Sequence, residues 1–178
     1  MKNILTFDLE FWYNSEFIKY DNKEDYREKI LLEKPIFKIL RLLDKHKIKA
    51  TFFVTGEIAK LHPSSIRKIH EDGHEVACHG LTHDKNEFLL DESDQRRRIE
   101  EATEIIEKIV GARPLGFRAP CLRANSTTLK ILEEYGYIYD SSVIPTFIPG
   151  YYGVLSAPTR PYHPSPLRMD RELSLIHI

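Results

Sequence analysis

"HEVACHGLTHD", residues 74–84, sets the frame for reading the whole chain. Its first part, "EVACH" (75–79), is a short apolar run of the kind a buried strand makes. Gly80 then favours a turn, so His79 stands at a strand's C-terminal end. His83 follows four residues later, a spacing at which a helix or a turn can bring two imidazoles to one side of the chain. Two histidines alone say little. What the neighbouring segments carry to the same place decides their meaning.

On either side, short apolar runs alternate with helical patterns. "NILTFD" (3–8) and the β-branched, aromatic "KATFFVT" (49–55) read as strands. Between them "KPIFKILRLLDKH" (34–46) reads as a helix, with Ile36, Phe37, Ile39, Leu40 and Leu43 near helical spacing. A helix in "HPSSIRKIHEDG" is predicted to be capped by Ser64 or Ser65 and stopped at Gly73. The clearest helix is "DESDQRRRIEEATEIIEKIVG". Ile99, Ala102, Ile105, Ile106 and Ile109 share a face, Ser93 is the expected cap, and Gly111 ends it. "PLGFRAP" gives a fourth strand, "NSTTLKILEEYG" a capped helix and "YIYDSSV" a fifth strand. Residues 144–168 hold six prolines and read as a long irregular loop.

This alternation implies βαβ units and a mainly parallel sheet, in which polar residues at strand C-terminal ends gather at one rim. Asp8, His79, Arg118 and Asp140 all fall at such ends. Asp8 and Glu10 are two apart, so on a continuing strand they share a face roughly 7 Å apart. One carboxylate can then bind a metal while the other stays free as a base. Two neutral imidazoles and a carboxylate suit Zn²⁺ or a similar divalent ion, with positions left for water. Arg118 in "FRAP" is expected to pair with a nearby carboxylate. His74 precedes its strand, His46, His62 and His70 read as helix or loop surface, and Arg96, Arg97 and Arg98 read as a solvated helix face.

Composition narrows the alternatives. The 178 residues suit a single domain spanning 1–178, with 42% hydrophobic and 30% charged residues. A formal charge of −1 supplies no global field for nucleic acid or anionic membrane, so a nucleic-acid partner is not expected. Cys78 and Cys121 make no disulfide framework. No run approaches the length of a membrane span, and "MKNILTFDLEF" lacks the features of a secretory signal. A cytoplasmic location is the expectation.

The succession "TFDLE", "ATFFVTGEIA", "GHEVACHGLTH", "GFRAP" and "GYIYDSSVIP" resembles the polysaccharide deacetylase family, the NodB-homology domain of carbohydrate esterase family 4. The likeness is to the branch whose first motif is Asp-x-Glu or Asp-x-Asp, and it runs from about residue 3 to 145. It implies a deformed (β/α) barrel and metal-dependent removal of an N-acyl group, usually acetyl, from an amino sugar. By the same resemblance Asp8 matches the base, and Glu10, His79 and His83 match the metal ligands. Arg118 matches the arginine that holds the base, the Cys121 backbone N–H the oxyanion donor, and Asp140 a supporting aspartate.

The chain departs from the family pattern in three places. Glu10 stands two residues after Asp8, where much of the family has adjacent aspartates; Cys121 replaces a usual aromatic. The family's Leu-x-x-His leaving-group acid is matched only by His177, with Ser174 where leucine should stand. A barrel of this kind typically takes about 250 residues. "LSLIHI" also resembles sequencing-adapter read-through, so the domain is expected to be incomplete at its C-terminus and residues 172–178 not native. The resulting expectation is a hydrolase that uses Zn²⁺, or Co²⁺ or Ni²⁺, on an N-acetylated glycan or sugar. Its rivals are hydrolysis of a non-sugar C–N bond and a catalytically inactive glycan-binding relative.

Overall fold

The computed structural model describes residues 4–11, 32–148, 152–165 and 168–172. Five parallel strands form one sheet: β1 (Thr6–Leu9), β2 (Thr51–Val54), β3 (Glu75–Cys78), β4 (Gly116–Phe117) and β5 (Tyr139–Asp140). They lie side by side in chain order, with no reversal of strand order. Successive crossovers therefore wind one way, as in an arc of a (β/α) barrel, and not as in a doubly wound sheet.

The crossovers are helical: α1 (Glu33–Lys45) joins β1 to β2, and α2 (Gly56–Leu61) with α3 (Pro63–Glu71) joins β2 to β3. α4 (Glu92–Val110) and α5 (Ser126–Glu134) complete the next two. Parallel pairing puts Phe52 beside Phe7 and Val76, and Val54 beside Leu9 and Cys78. This row, with Phe117, forms the helix-covered core together with Ile36, Leu40, Ile58, Ile66, Ile99 and Ile106. The alternate row carries Asp8, Phe53 and Ala77 on the opposite face. That pleat parity determines which polar residues can meet.

Several local expectations are revised. α2 is a helix that periodicity does not reveal in six residues; Thr55 starts it, its Oγ1 accepting from Ile58 N at 3.3 Å. α3 begins with Pro63 at its first position and His62 before it, so neither Ser64 nor Ser65 is the cap. α4 is capped by Asp91 and not Ser93: Asp91 Oδ1 accepts from both Asp94 N (3.0 Å) and Ser93 Oγ (2.7 Å). Gly73 and Gly111 stop their helices as expected, each with positive φ. Phe37 is 44% exposed, on the side of α1 away from Ile36, Leu40 and Leu43. The proline-rich tract is not simply loop: β6 (Phe147–Ile148) pairs with β7 (Tyr152–Gly153), and β8 (Pro164–Ser165) with β9 (Arg168–Glu172), both antiparallel. No helix among the described residues is long and apolar enough to cross a membrane. His177 and the terminal string from 173 lie outside the described residues.

Candidate metal centre and active site

Three strand ends build the site. His79 directly follows β3, and its backbone N–H extends the ladder to Val54 O at 2.9 Å. Only 2% of its side chain is exposed. Its Nδ1 lies 2.7 Å from Arg118 O. A carbonyl can only accept, so Nδ1 carries the proton and Nε2 keeps its lone pair for a ligand role. Burial, the largest influence, holds the imidazole down to about 4, against the opposing pull of Asp8. It is therefore neutral at neutral pH, the state in which imidazole coordinates.

His83 reaches the same place through a turn and not a helix: Gly80 and His83 have φ of 79° and 61°. The two imidazole centroids stand 5.1 Å apart. Nε2 of His83 meets Glu10 Oε2. The ligand atoms of Glu10, His79 and His83 all lie within 4.8 Å of one another. Burial works to raise the Glu10 carboxyl, but the hydrogen bond from His83 and the electrostatic pull of the nearby rings, His83 more than His79, outweigh it and hold it below its usual range. One carboxylate and two imidazoles converge at a single point, and this donor set fits a divalent ion with open positions. Among the described residues it is the one such cluster found.

Asp8 is held apart from that cluster. Its Oδ1 accepts from Arg118 Nη1 at 2.5 Å, and its Oδ2 stands 4.0 Å from His79 Nε2. Arg118 is fixed in turn by Thr6 Oγ1 (3.3 Å), by Ser141 Oγ (2.8 Å) and by the Phe53 ring, 4.1 Å beneath the guanidinium. The side chain at the end of β4 thus reaches across the inner face of the sheet to β1. The expected arginine–carboxylate pair is present.

Asp140 ends β5 as expected, but on the other face of the sheet from Arg118. It pairs with Phe117, so by pleat parity it takes the helix-covered face while Arg118 takes the other. Its carboxylate accepts from Ser142 N (2.9 Å) and Ser142 Oγ (2.6 Å), and that hydroxyl oxygen accepts from Ala119 N at 2.8 Å. Burial raises its carboxyl above the ordinary range, against the Ser142 bonds. Asp140 therefore steadies the Ala119–Pro120–Cys121 segment from behind. Cys121 lies in a short 3-10 turn, Pro120–Leu122, with φ of 53°.

Residues that sequence reasoning missed also shape the site. Glu87 is buried and accepts from Leu81 N (2.5 Å), Thr82 N (3.0 Å) and Thr82 Oγ1 (3.0 Å). Arg98, expected on the solvated face, turns inward to it, with Nη1 3.8 Å from Glu87 Oε2. Arg96 and Arg97 keep exposed pairs with acids of α4 and α5, as a solvated face would. His62, expected at the surface, is mostly buried, and His74, which precedes β3, is buried as well. His62 Nδ1 pairs with Glu33 Oε1 at 3.1 Å, and buried His74 accepts from Ala50 N at 3.2 Å.

Residues 28–139 match the family model described as polysaccharide deacetylase. A peptidoglycan deacetylase-like protein of Gibberella zeae is 33% identical over 108 residues, covering 60% of this chain and 32% of its own. A crystal structure of a Mycobacterium smegmatis protein described as a polysaccharide deacetylase superposes with a TM-score of 0.65 at 30% identity, over 79% of this chain and 50% of that one. A mutant of a Bacillus anthracis carbohydrate esterase family 4 pseudoenzyme, with restored enzymatic activity, superposes with a TM-score of 0.61 at 25% identity, over 78% and 43%. The chain thus spans about a third of that curated relative and at most half of these structures. The parallel arc is that of the NodB-type deformed (β/α) barrel.

Proposed function

The chain belongs to the polysaccharide deacetylase family, and we propose that it is a metal-dependent hydrolase removing an N-acetyl group from an amino sugar in a glycan or glycan precursor. The peptidoglycan deacetylase-like relative supports that substrate class. Because one structural neighbour derives from a pseudoenzyme, fold alone does not carry the activity. What carries it is the division of the two carboxylates: Glu10 joins two imidazoles, while Asp8 is held by Arg118 beside them.

Glu10, His79 and His83 would hold the ion, with Zn²⁺ the first candidate and Co²⁺ and Ni²⁺ also suited to these donors. When bound, such an ion lowers the pKa of water and polarises an amide carbonyl. Asp8 would then accept the attacking water's proton, the general-base role, and the C–N bond breaks as a proton is returned to the leaving amine. Arg118 orients the Asp8 carboxylate and, through its own carbonyl, fixes the tautomer of His79. The Cys121 backbone N–H is assigned as the donor to the oxygen that gains charge. Asp140 and Ser142 hold the chain just before it by fixing Ala119 N.

The two carboxylates have separable tests. Asp8→Asn should keep the ion and lose about 10²–10⁴-fold in turnover, because an amide cannot take the proton. Glu10→Gln should lose affinity for the ion itself. If Asp8→Asn released the metal and Glu10→Gln did not, the roles would be reversed.

A further inference from the structure

The loop that carries His83 has its backbone satisfied from two opposite sides. On one side the N-terminus of α2 donates: Gly56 N to Gly80 O at 3.0 Å and Glu57 N to Leu81 O at 2.9 Å. On the other a single carboxylate, Glu87, takes the N–H groups of Leu81 and Thr82 together with the Thr82 hydroxyl. Its side chain is 0% exposed, and Arg98 is the cation that faces it.

A buried carboxylate is costly unless its oxygens are filled by donors, and here three donors and a guanidinium fill them. No other side chain does this work in the same space. A glutamine offers one acceptor oxygen, and its amide N–H₂ would face a backbone N–H. Glu87 is itself anchored: its N–H bonds Asp84 O at 2.9 Å, and the next residue, Phe88, packs edge-on against Phe117 at 5.1 Å between centroids. The turn from Gly80 to His83 is thus clamped between α2 and a fixed anion in the turn that precedes α4.

We infer that Glu87, backed by Arg98, is a positioning residue for the metal centre. It fixes the Leu81–Thr82 peptides so that His83 closes on the point shared by Glu10 and His79. The inference rests on the assignment of those three residues as metal ligands. It goes beyond that assignment by making a buried acid that touches no ligand side chain a determinant of metal affinity. Partners outside the ligand shell typically control about 10–100-fold in affinity.

The test is titration of the metal-free 178-residue chain with Co²⁺, followed by the visible absorption of the bound ion. Folding of each variant is checked by circular dichroism. Glu87→Gln should bind Co²⁺ about 10–100-fold more weakly and with a shifted visible band, because His83 no longer sits in register. Thr82→Val deletes only one donor to the same carboxylate and should weaken binding about five-fold. Lys68→Met removes an exposed ion pair with Asp72 at the end of α3, away from this loop, and should leave affinity and spectrum unchanged. A folded Glu87→Gln chain with the parent's affinity and spectrum overturns the inference and leaves the ligand assignment standing. Should Glu87→Gln not fold, parent-like binding by Thr82→Val overturns it in the same way. If His83→Ala binds as tightly as the parent, or the parent binds no Co²⁺, the ligand assignment fails and the inference falls with it.

Discussion

Gly80 and Gly111 have almost the same positive φ, 79° and 80°, yet they sit in opposite surroundings. A Cβ at Gly111 would meet nothing within 4 Å. At Gly80 it would stand 3.0 Å from Glu87 Oε1, 3.0 Å from Phe88 Cε2 and 3.1 Å from Pro120 Cγ, tighter than ordinary van der Waals contact on three sides. Both alanine substitutions carry the cost of left-handed backbone, about 1–2 kcal/mol. Each recovers about 0.4–1 kcal/mol from the stiffer unfolded chain. Gly111→Ala should therefore destabilise by about 1 kcal/mol. Gly80→Ala adds overpacking against a clamped carboxylate, a buried ring and a proline, about 1–3 kcal/mol more, for a total of about 2–4 kcal/mol. Equilibrium urea unfolding measures the difference. With a slope of about 2 kcal/mol per molar, the Gly80→Ala midpoint should lie about 1 M below that of Gly111→Ala. Equal midpoints would refute the reasoning, since the crowding around Gly80 is what separates the two expected costs.

Other consequences are as open to measurement. Asp91→Ala removes the acceptor for Asp94 N and should cost about 1 kcal/mol, whereas Ser93→Ala should cost much less. Phe117 is fully buried between Phe88 and Tyr137, so Phe117→Ala should cost about 3–5 kcal/mol, read by thermal or urea unfolding. Burial lowers the His74 pKa below its ordinary 6.5, with Lys49 adding to the effect. The folded state thus binds its proton less readily than the unfolded chain. The stability this contributes is present above pH 6.5 and is lost as pH falls through the lower folded value. His74→Asn, which keeps an acceptor for Ala50 N that does not titrate, should flatten that part of the profile. An unchanged slope would count against it.

What the sequence disclosed, and what it withheld, follows from the range of the interactions involved. That one of two carboxylates would join a histidine pair was legible because the signals are local, Glu10 two residues after Asp8 and His83 four after His79 across a glycine turn. That Glu10 is the ligand came only from the family resemblance. That Arg118 pairs with a carboxylate could be expected from its chemistry at a strand end; that the partner is Asp8, 110 residues away, was implied only by the resemblance. Asp140 stands at its strand's end as expected, but strand ends fix height in the sheet and not parity. Its register opposite Phe117, set by a two-residue strand, turns it to the helix side. Glu87 looked like one more polar residue in "HDKNEF". Its burial depends on Arg98 in the next helix and on backbone groups five and six residues earlier. Cap choice failed where two polar residues compete: Asp91 outdoes Ser93 because its carboxylate accepts from both the backbone and the serine hydroxyl.

The central claim is that a bound ion and a free carboxylate act together on an N-acetyl group. The direct measurement is acetate release from an N-acetylglucosamine oligomer, by protein stripped with a chelator and then restored with Zn²⁺ or Co²⁺. The account predicts release that vanishes on stripping and returns with one ion per chain, and that is lost in Asp8→Asn although the ion is still bound. Release that survives stripping, or an Asp8→Asn variant as active as the parent, would contradict it.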